Sequence, residues 1–189
     1  MYPNRNYELT ILNLYAGSYL KEFYLREISR TTKIPLKTVQ RVTGSLEARK
    51  ILKGNIHGKN KYFMLNLSNI QSKLSMLQSE IYKTQLFLNK YPQCKAFVKE
   101  LTHATIIVFG SFAKFTAQTD SDIDLLIISN EAVPLHLLPH KIHAMRLSEK
   151  SFMKALAKQE TLIKEIEENH VILNNHSFYI DMTWSHYAR

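Results

Sequence analysis

Cysteine is almost missing from this chain: Cys94 stands alone among 189 residues. No disulfide within the chain and no cysteine-based zinc cluster can form, and a single Cys reads first as a small buried apolar side chain rather than a catalytic thiol. Glycine and proline number only five each, which excludes collagen-like and low-complexity chains. Long apolar runs are lacking too. The longest stretch without Asp, Glu, Lys or Arg is the thirteen residues Leu101–Ala113, well short of the ~18–20 that a membrane-spanning helix needs. No membrane partner is therefore expected. The opening MYPNRNYELT has neither the basic-then-apolar order nor the cleavage site of a secretory signal, so a cytoplasmic location is the expectation. What is present, 45% hydrophobic and 11% aromatic residues, suffices for a core, and the length admits two small domains.

Acidic residues are scarce in one part only. Residues 1–66 carry 12 basic and 4 acidic side chains, whereas residues 67–189 carry 13 and 12. A basic module joined to a neutral one points to a polyanion partner for the first, against the alternative of a solvated basic face. Apolar residues at helical spacing mark helices at Tyr7–Leu20, Leu25–Thr32 and Leu36–Ile51. Pro35 suits the start of the third, in which Leu36, Val39, Val42, Leu46 and Ile51 face inward. Lys37, Thr38, Gln40 and Arg41 are left outside. Ile51-Leu52 and Tyr62–Leu65 then flank a turn region with Gly54, Gly58 and Asn60, read as a hairpin whose tip is basic through Lys59 and Lys61.

Helix, helix, turn, helix, hairpin is the order by which a third helix enters the major groove and a wing lies on phosphates. REISRTTKIPLKTVQRVTGSLEARKILK followed by GKNKYFMLN resembles winged helix-turn-helix transcription regulators. The resemblance implies DNA as partner, with Lys37, Thr38, Gln40, Arg41, Lys59 and Lys61 as contacts. The same fold also serves protein or RNA interaction.

Residues 67–92 read as one connecting helix, with Ser68 and Gln71 spaced as a capping box and Pro92 as the stop. Leu67, Ile70, Leu74, Leu77 and Ile81 form a narrow apolar stripe. Packing on one of its own domains is favoured over pairing with a second copy, because the repeat spans barely two heptads.

Chemistry concentrates in residues 93–189. TIIVF at Thr105–Phe109 has the character of a buried strand, Gly110-Ser111 follows, and ten residues later Asp122-Ile123-Asp124 leads into LLII. Residues i and i+2 of a strand point the same way, so Asp122 and Asp124 present two carboxylates together. Such a pair calls for a divalent cation, and oxygen ligands point to Mg²⁺. GSFAKFTAQTDSDIDLLI resembles the signature of the nucleotidyltransferase superfamily related to DNA polymerase β, closest to the minimal nucleotidyltransferases of prokaryotes. The resemblance implies a mixed sheet flanked by helices, hence an α+β chain of two domains. It further implies Asp122 and Asp124 as metal ligands, Gly110 and Ser111 as holders of the NTP phosphates, and transfer of a nucleoside monophosphate to a protein, RNA or small-molecule hydroxyl.

The sequence departs from that family at two places. Phe115 stands where glycine is common, and the next extended segment, Lys141–Leu147, lacks the family's third acid. Three alternatives stay open: Asp181, in SFYIDMTW after an expected hairpin at Asn174-Asn175-His176, as third catalytic acid; His143 in its place; or no third group, leaving a nucleotide-sensing transcription regulator. Leu147–His170 reads as helix capped by Ser148. His136, His140 and His143 are not read as a zinc site, because Pro134 and Pro139 interrupt any shared helix. Tyr179, Trp184 and Tyr187 read as packing rather than a base-stacking platform.

Overall fold

A computed structural model describes residues 6–139 and 141–188; His140 lies outside them. The chain is a mixed α+β protein and divides into two compact units, one holding the residues up to Ser79 together with Tyr187, the other Glu80–His186.

The first unit contains α1 (Tyr7–Ala16), β1 (Phe23–Tyr24), α2 (Leu25–Thr32), α3 (Leu36–Ala48), β2 (Leu52–His57), β3 (Asn60–Leu65) and the start of α4 (Ile70–Lys90). Asn6 caps α1 by accepting from the Leu9 amide at 3.2 Å. Lys33, at φ 58, ends α2 in the left-handed region, and the chain re-enters helix after Pro35. Val39, Val42 and Leu46 of α3 are buried as expected, but Leu36 is 42% exposed. Leu36 begins the helix, ahead of the turn that meets the core.

The three strands form an antiparallel sheet in the order β1-β3-β2. Its turn is tighter than the sequence suggested: Gly58, at φ 59, and Lys59 alone connect the strands, and Gly54 lies inside β2. Tyr15 ties α1 to the sheet, its buried hydroxyl donating to the Phe63 carbonyl at 2.9 Å and its ring edge-on to Phe23.

Helix α4 begins at Ile70, capped one residue later than the expected Ser68 by Asn69, whose side chain accepts from the Gln71 amide and donates to the Lys50 carbonyl. The division between the units falls within this helix. The expectation that its stripe packs on the chain's own domains is overturned at three positions: Ile70, Leu74 and Ile81 are 65%, 52% and 41% exposed. The buried face of α4 is instead the one bearing Ser72, Met76, Ser79 and Glu80, drawn in by serine hydroxyls that hydrogen-bond to the Ile51 carbonyl and to Asn13.

The second unit holds the end of α4, α5 (Lys95–Lys99), β4 (Thr105–Phe109), α6 (Gly110–Ala113), β5 (Ile123–Ile128), β6 (Ile142–Leu147), α7 (Glu149–Lys158), α8 (Thr161–Glu168), β7 (Val171–Asn174) and most of α9 (His176–Tyr187). Its sheet has the order β6-β5-β4-β7, with β5 antiparallel to β4 and parallel to β6. Every residue of β4 is buried, which is why TIIVF shows no alternation: both faces of the strand are covered. Phe87, Phe97 and Phe112 join Ile106, Val108, Leu125 and Ile127 in one core cluster. Cys94 belongs to it too, and burial pushes its thiol up to about 11, so it is an inert packing residue.

Two expectations fail in the C-terminal part. The single helix from Leu147 to His170 is two helices, broken where Gln159 turns to φ 51; the Ser148 cap does form, accepting from the Ser151 amide at 3.1 Å. There is no hairpin at Asn174-Asn175-His176. Asn175, at φ 57, turns the chain into α9 instead, and its side chain joins that of Asn174 in hydrogen-bonding the 102–105 segment. Asp181 therefore sits on a helix.

Candidate functional site

The site is built where β4 ends and β5 begins. The register pairs Phe109 with Asp124, so the chain leaves β4 through Gly110 directly beside the Asp124 carboxylate. Gly110 takes φ 65, and a Cβ placed there would collide with Asp124 Oδ2. Only glycine meets both demands. Ser111 follows, half-buried, with its carbonyl accepting from the Thr116 amide at 3.0 Å.

Asp124 lies within β5 and Asp122 just before it, separated by the buried Ile123. Both carboxylates thus point away from the Phe87–Phe97–Phe112 core, as the i, i+2 spacing requires. Burial, foremost, holds the Asp124 carboxyl above the usual range; the negative charges of Glu165 and Asp122 act in the same direction and His143 against them. In chemical type, a pair of carboxylates is the oxygen donor set that a hard divalent ion takes.

The neighbouring strand answers with bases. The parallel register sets His143 opposite Asp124, with Nδ1 3.8 Å from Oδ1, and Lys141 Nζ is 3.3 Å from Asp122 Oδ2. Lys141 was missed in the sequence, although Lys-x-His entering β6 mirrors Asp-x-Asp entering β5. Glu165 was missed as well. It belongs to α8, which leads into β7 at Val171, and Val171 pairs with Val108 at the end of the sheet that carries Gly110. Nothing in IKEIEENH distinguishes Glu165 from the other acids of that amphipathic helix. Asp181, by contrast, is exposed on α9 and outside the sheet.

Phe115 takes a left-handed backbone, at φ 59, of the kind glycine adopts most readily. Its ring packs against Phe87 and Tyr91, and its carbonyl accepts from Lys90 Nζ. The side chain is thus absorbed by the aromatic core.

In the first unit, Lys37, Gln40 and Arg41 are exposed and Thr38 half-buried on the outer face of α3, where together with Pro35 they line an open depression. Lys59 occupies the hairpin turn. Lys61 is less free than expected, since its ammonium contacts Glu47 Oε2 at 2.6 Å. That ion pair lies across the surface left open by Gly54. Tyr179 and Trp184 are buried and the Tyr187 ring packs tilted against Tyr19, all packing residues. Among the described residues, no three His, Cys, Asp or Glu side chains form a ready metal cluster, and no helix is long and apolar enough to cross a membrane.

The second unit is thus a four-stranded mixed sheet with helices, carrying Gly-Ser at the end of β4 and Asp-x-Asp at the start of β5. Residues 92–181 match the family model of the nucleotidyltransferase domain. No curated protein and no solved structure matches the chain.

Proposed function

We propose that the second unit transfers a nucleoside monophosphate from NTP to a hydroxyl acceptor, and that the first unit is a winged helix that binds DNA. The observation that carries the first half is the fit of Gly110 against Asp124 at the mouth of a buried strand pair, in the segment that matches the nucleotidyltransferase domain. Gly110 and Ser111 hold the terminal phosphates. Asp122 and Asp124 hold Mg²⁺, which supplies neutralisation of charge on the attacking and leaving oxygens. The acceptor oxygen forms a bond to the α-phosphorus, the bond from that phosphorus to the bridging oxygen breaks, pyrophosphate leaves, and the hydroxyl proton passes to solvent or a nearby base.

A second reading is favoured by β6, where Lys141 and His143 stand beside the two carboxylates and no acid is present. On it, the unit binds nucleotide as a signal and the chain regulates transcription without turnover. Incubating the protein with Mg²⁺, α-labelled NTPs and cell extract separates the two. Label moved by the wild type and not by the Asp122→Asn/Asp124→Asn variant supports the transferase. Cation-dependent NTP binding without transfer supports the sensor.

A further inference from the structure

Among the described residues the most exposed large apolar side chain is Ile56, at 76%, and it stands near the tip of the β2–β3 hairpin. We propose that Ile56 is an apolar wedge that enters the minor groove of DNA and opens a base step there, while the lysines around it hold the phosphates. The inference rests on reading the first unit as a DNA-binding winged helix.

Single apolar residues on a surface are ordinary, but this one lies uncovered for a structural reason. Side chains of a strand alternate between faces, so Leu52, Gly54 and Ile56 of β2 share one face with Leu65, Phe63 and Lys61 of β3. Leu52, Leu65 and Phe63 are buried, and Ile56 carries that apolar face past the edge of the core. Lys61 is its partner across the ladder and the residue placed to cover it. Instead the lysine stem lies over Gly54, with Nζ 2.6 Å from Glu47 Oε2 and 5.4 Å from the centre of the Phe63 ring, and Ile56 is left bare. The opposite face of the hairpin is braced. Asn55 Nδ2 donates to Glu22 Oε1 at 3.4 Å, His57 Nε2 lies 3.1 Å from Glu22 Oε2, and the Tyr62 ring stands edge-on to His57 and Tyr24. A hairpin held in this way presents Ile56 with little left to order on binding.

Charge selects the partner. Residues 52–65 hold Lys53, Lys59 and Lys61 and no Asp or Glu, so the apolar tip is set among cations. Duplex DNA offers phosphates with stacked bases between them, and isoleucine is among the side chains that enter from the minor groove and unstack a step. That opening is easy at TA steps and resisted by stiff A-tracts. Lys37, Gln40 and Arg41, exposed on α3 of the same unit, are donors of the kind that read base edges, which favours DNA over an anionic lipid surface.

The full-length protein is titrated, across a salt series, against two short duplexes with G·C ends: one of repeated TA steps with 2-aminopurine in place of one adenine, the other an A-tract. Wild type should bind the TA duplex more tightly than the A-tract by about fivefold or more, and the 2-aminopurine fluorescence should rise as the base unstacks. Ile56→Ala should remove the rise and bring the two affinities together, with the salt slope unchanged because no charge is lost. Ile56→Met should keep both effects, and Lys59→Ala should flatten the slope but keep the rise. If wild type binds both duplexes with a steep salt slope, yet neither the rise nor the preference depends on residue 56, this inference falls and DNA binding stands. If wild type binds neither duplex, the DNA reading falls and this inference with it. Binding to phosphatidylglycerol vesicles in place of DNA, lost in Ile56→Ala, would assign the residue to a lipid surface and overturn the inference.

Discussion

Single residues carry the candidate site, and each is held by a physical constraint. Gly110 is caught between a left-handed backbone and a carboxylate that leaves no room for a Cβ. Gly110→Ala should lose nucleotide binding and also destabilise the second unit by about 1–2 kcal/mol from backbone strain alone, measured by calorimetric titration and thermal melting. Asp124 shows the opposite trade. Because its folded carboxyl titrates above the usual range, its charged form costs stability at neutral pH, and this cost is relieved as pH falls through the folded value. In buffer without divalent ions, Asp124→Asn should raise the melting temperature while abolishing transfer; a lower melting temperature would contradict that electrostatic reading. Phe115 teaches a third lesson. It stands where glycine is common in the family the sequence resembles, and it takes a left-handed backbone at φ 59 while its side chain packs against Phe87 and Tyr91.

Among the elements, α4, α8 and α9 meet in a buried polar knot. His170 Nδ1 bonds the Ile166 carbonyl near the end of α8 at 2.8 Å, and Nε2 lies 3.1 Å from Glu80 Oε1 on α4; both side chains have no exposed surface. Burial alone would raise the Glu80 carboxyl, but His170, Lys83 and His176 outweigh it and hold it below its ordinary value. Burial also lowers His176, whose Nε2 is 2.9 Å from Thr84 Oγ1. Removing one partner strands a buried charge, so His170→Ala should cost about 3–5 kcal/mol in denaturant unfolding. The pH dependence has a definite sign. A histidine with a depressed folded value stabilises above its unfolded value of about 6.5, and a carboxylate with a depressed folded value stabilises above about 4.3. Melting temperature should therefore drop between pH 7 and 5 through His176, and again below about 4.3 through Glu80. A His176→Gln variant should lose the first of these steps. This knot also fixes the end of the helix that brings Glu165 toward Asp124, a link between fold and site that no local sequence pattern announces.

On the scale of the whole molecule, what could be read in advance was what is local. Helices α2 and α3, strands β4, β5 and β6, and the Gly-Ser and Asp-x-Asp pair all lie in short segments whose periodicity or β-branching settles them. What could not be read depends on partners distant in the chain: the break at Gln159, the turn of Asn174-Asn175 into α9, the open stripe of α4, and Lys141 and Glu165 beside the carboxylates. Asp181 looked strand-borne because SFYIDMTW is rich in aromatic and β-branched residues, yet Tyr179, Ile180, Thr183 and Trp184 are the buried face of a helix. Charge is the other property of the whole chain. Residues 1–66 hold 12 basic and 4 acidic side chains, and Lys37, Gln40 and Arg41 stand exposed on one helix face while Lys61 is paired with Glu47. If that face lies on DNA, each phosphate neutralised releases condensed counterions, and the logarithm of affinity falls against the logarithm of salt with a slope near −0.9 per contact. Lys37→Ala combined with Arg41→Ala should then flatten the slope by about two where both cations touch phosphate, and by less, with lost sequence preference, where Arg41 reads a base. Lys61→Ala should change it least, since its charge is already answered within the chain. Fluorescence anisotropy with duplex DNA across a salt series measures all three, and an unchanged slope in the double variant would remove α3 from the interface. The same series on Asp124→Asn should reproduce the wild-type slope, because that carboxylate lies in the second unit, whose basic and acidic side chains nearly balance.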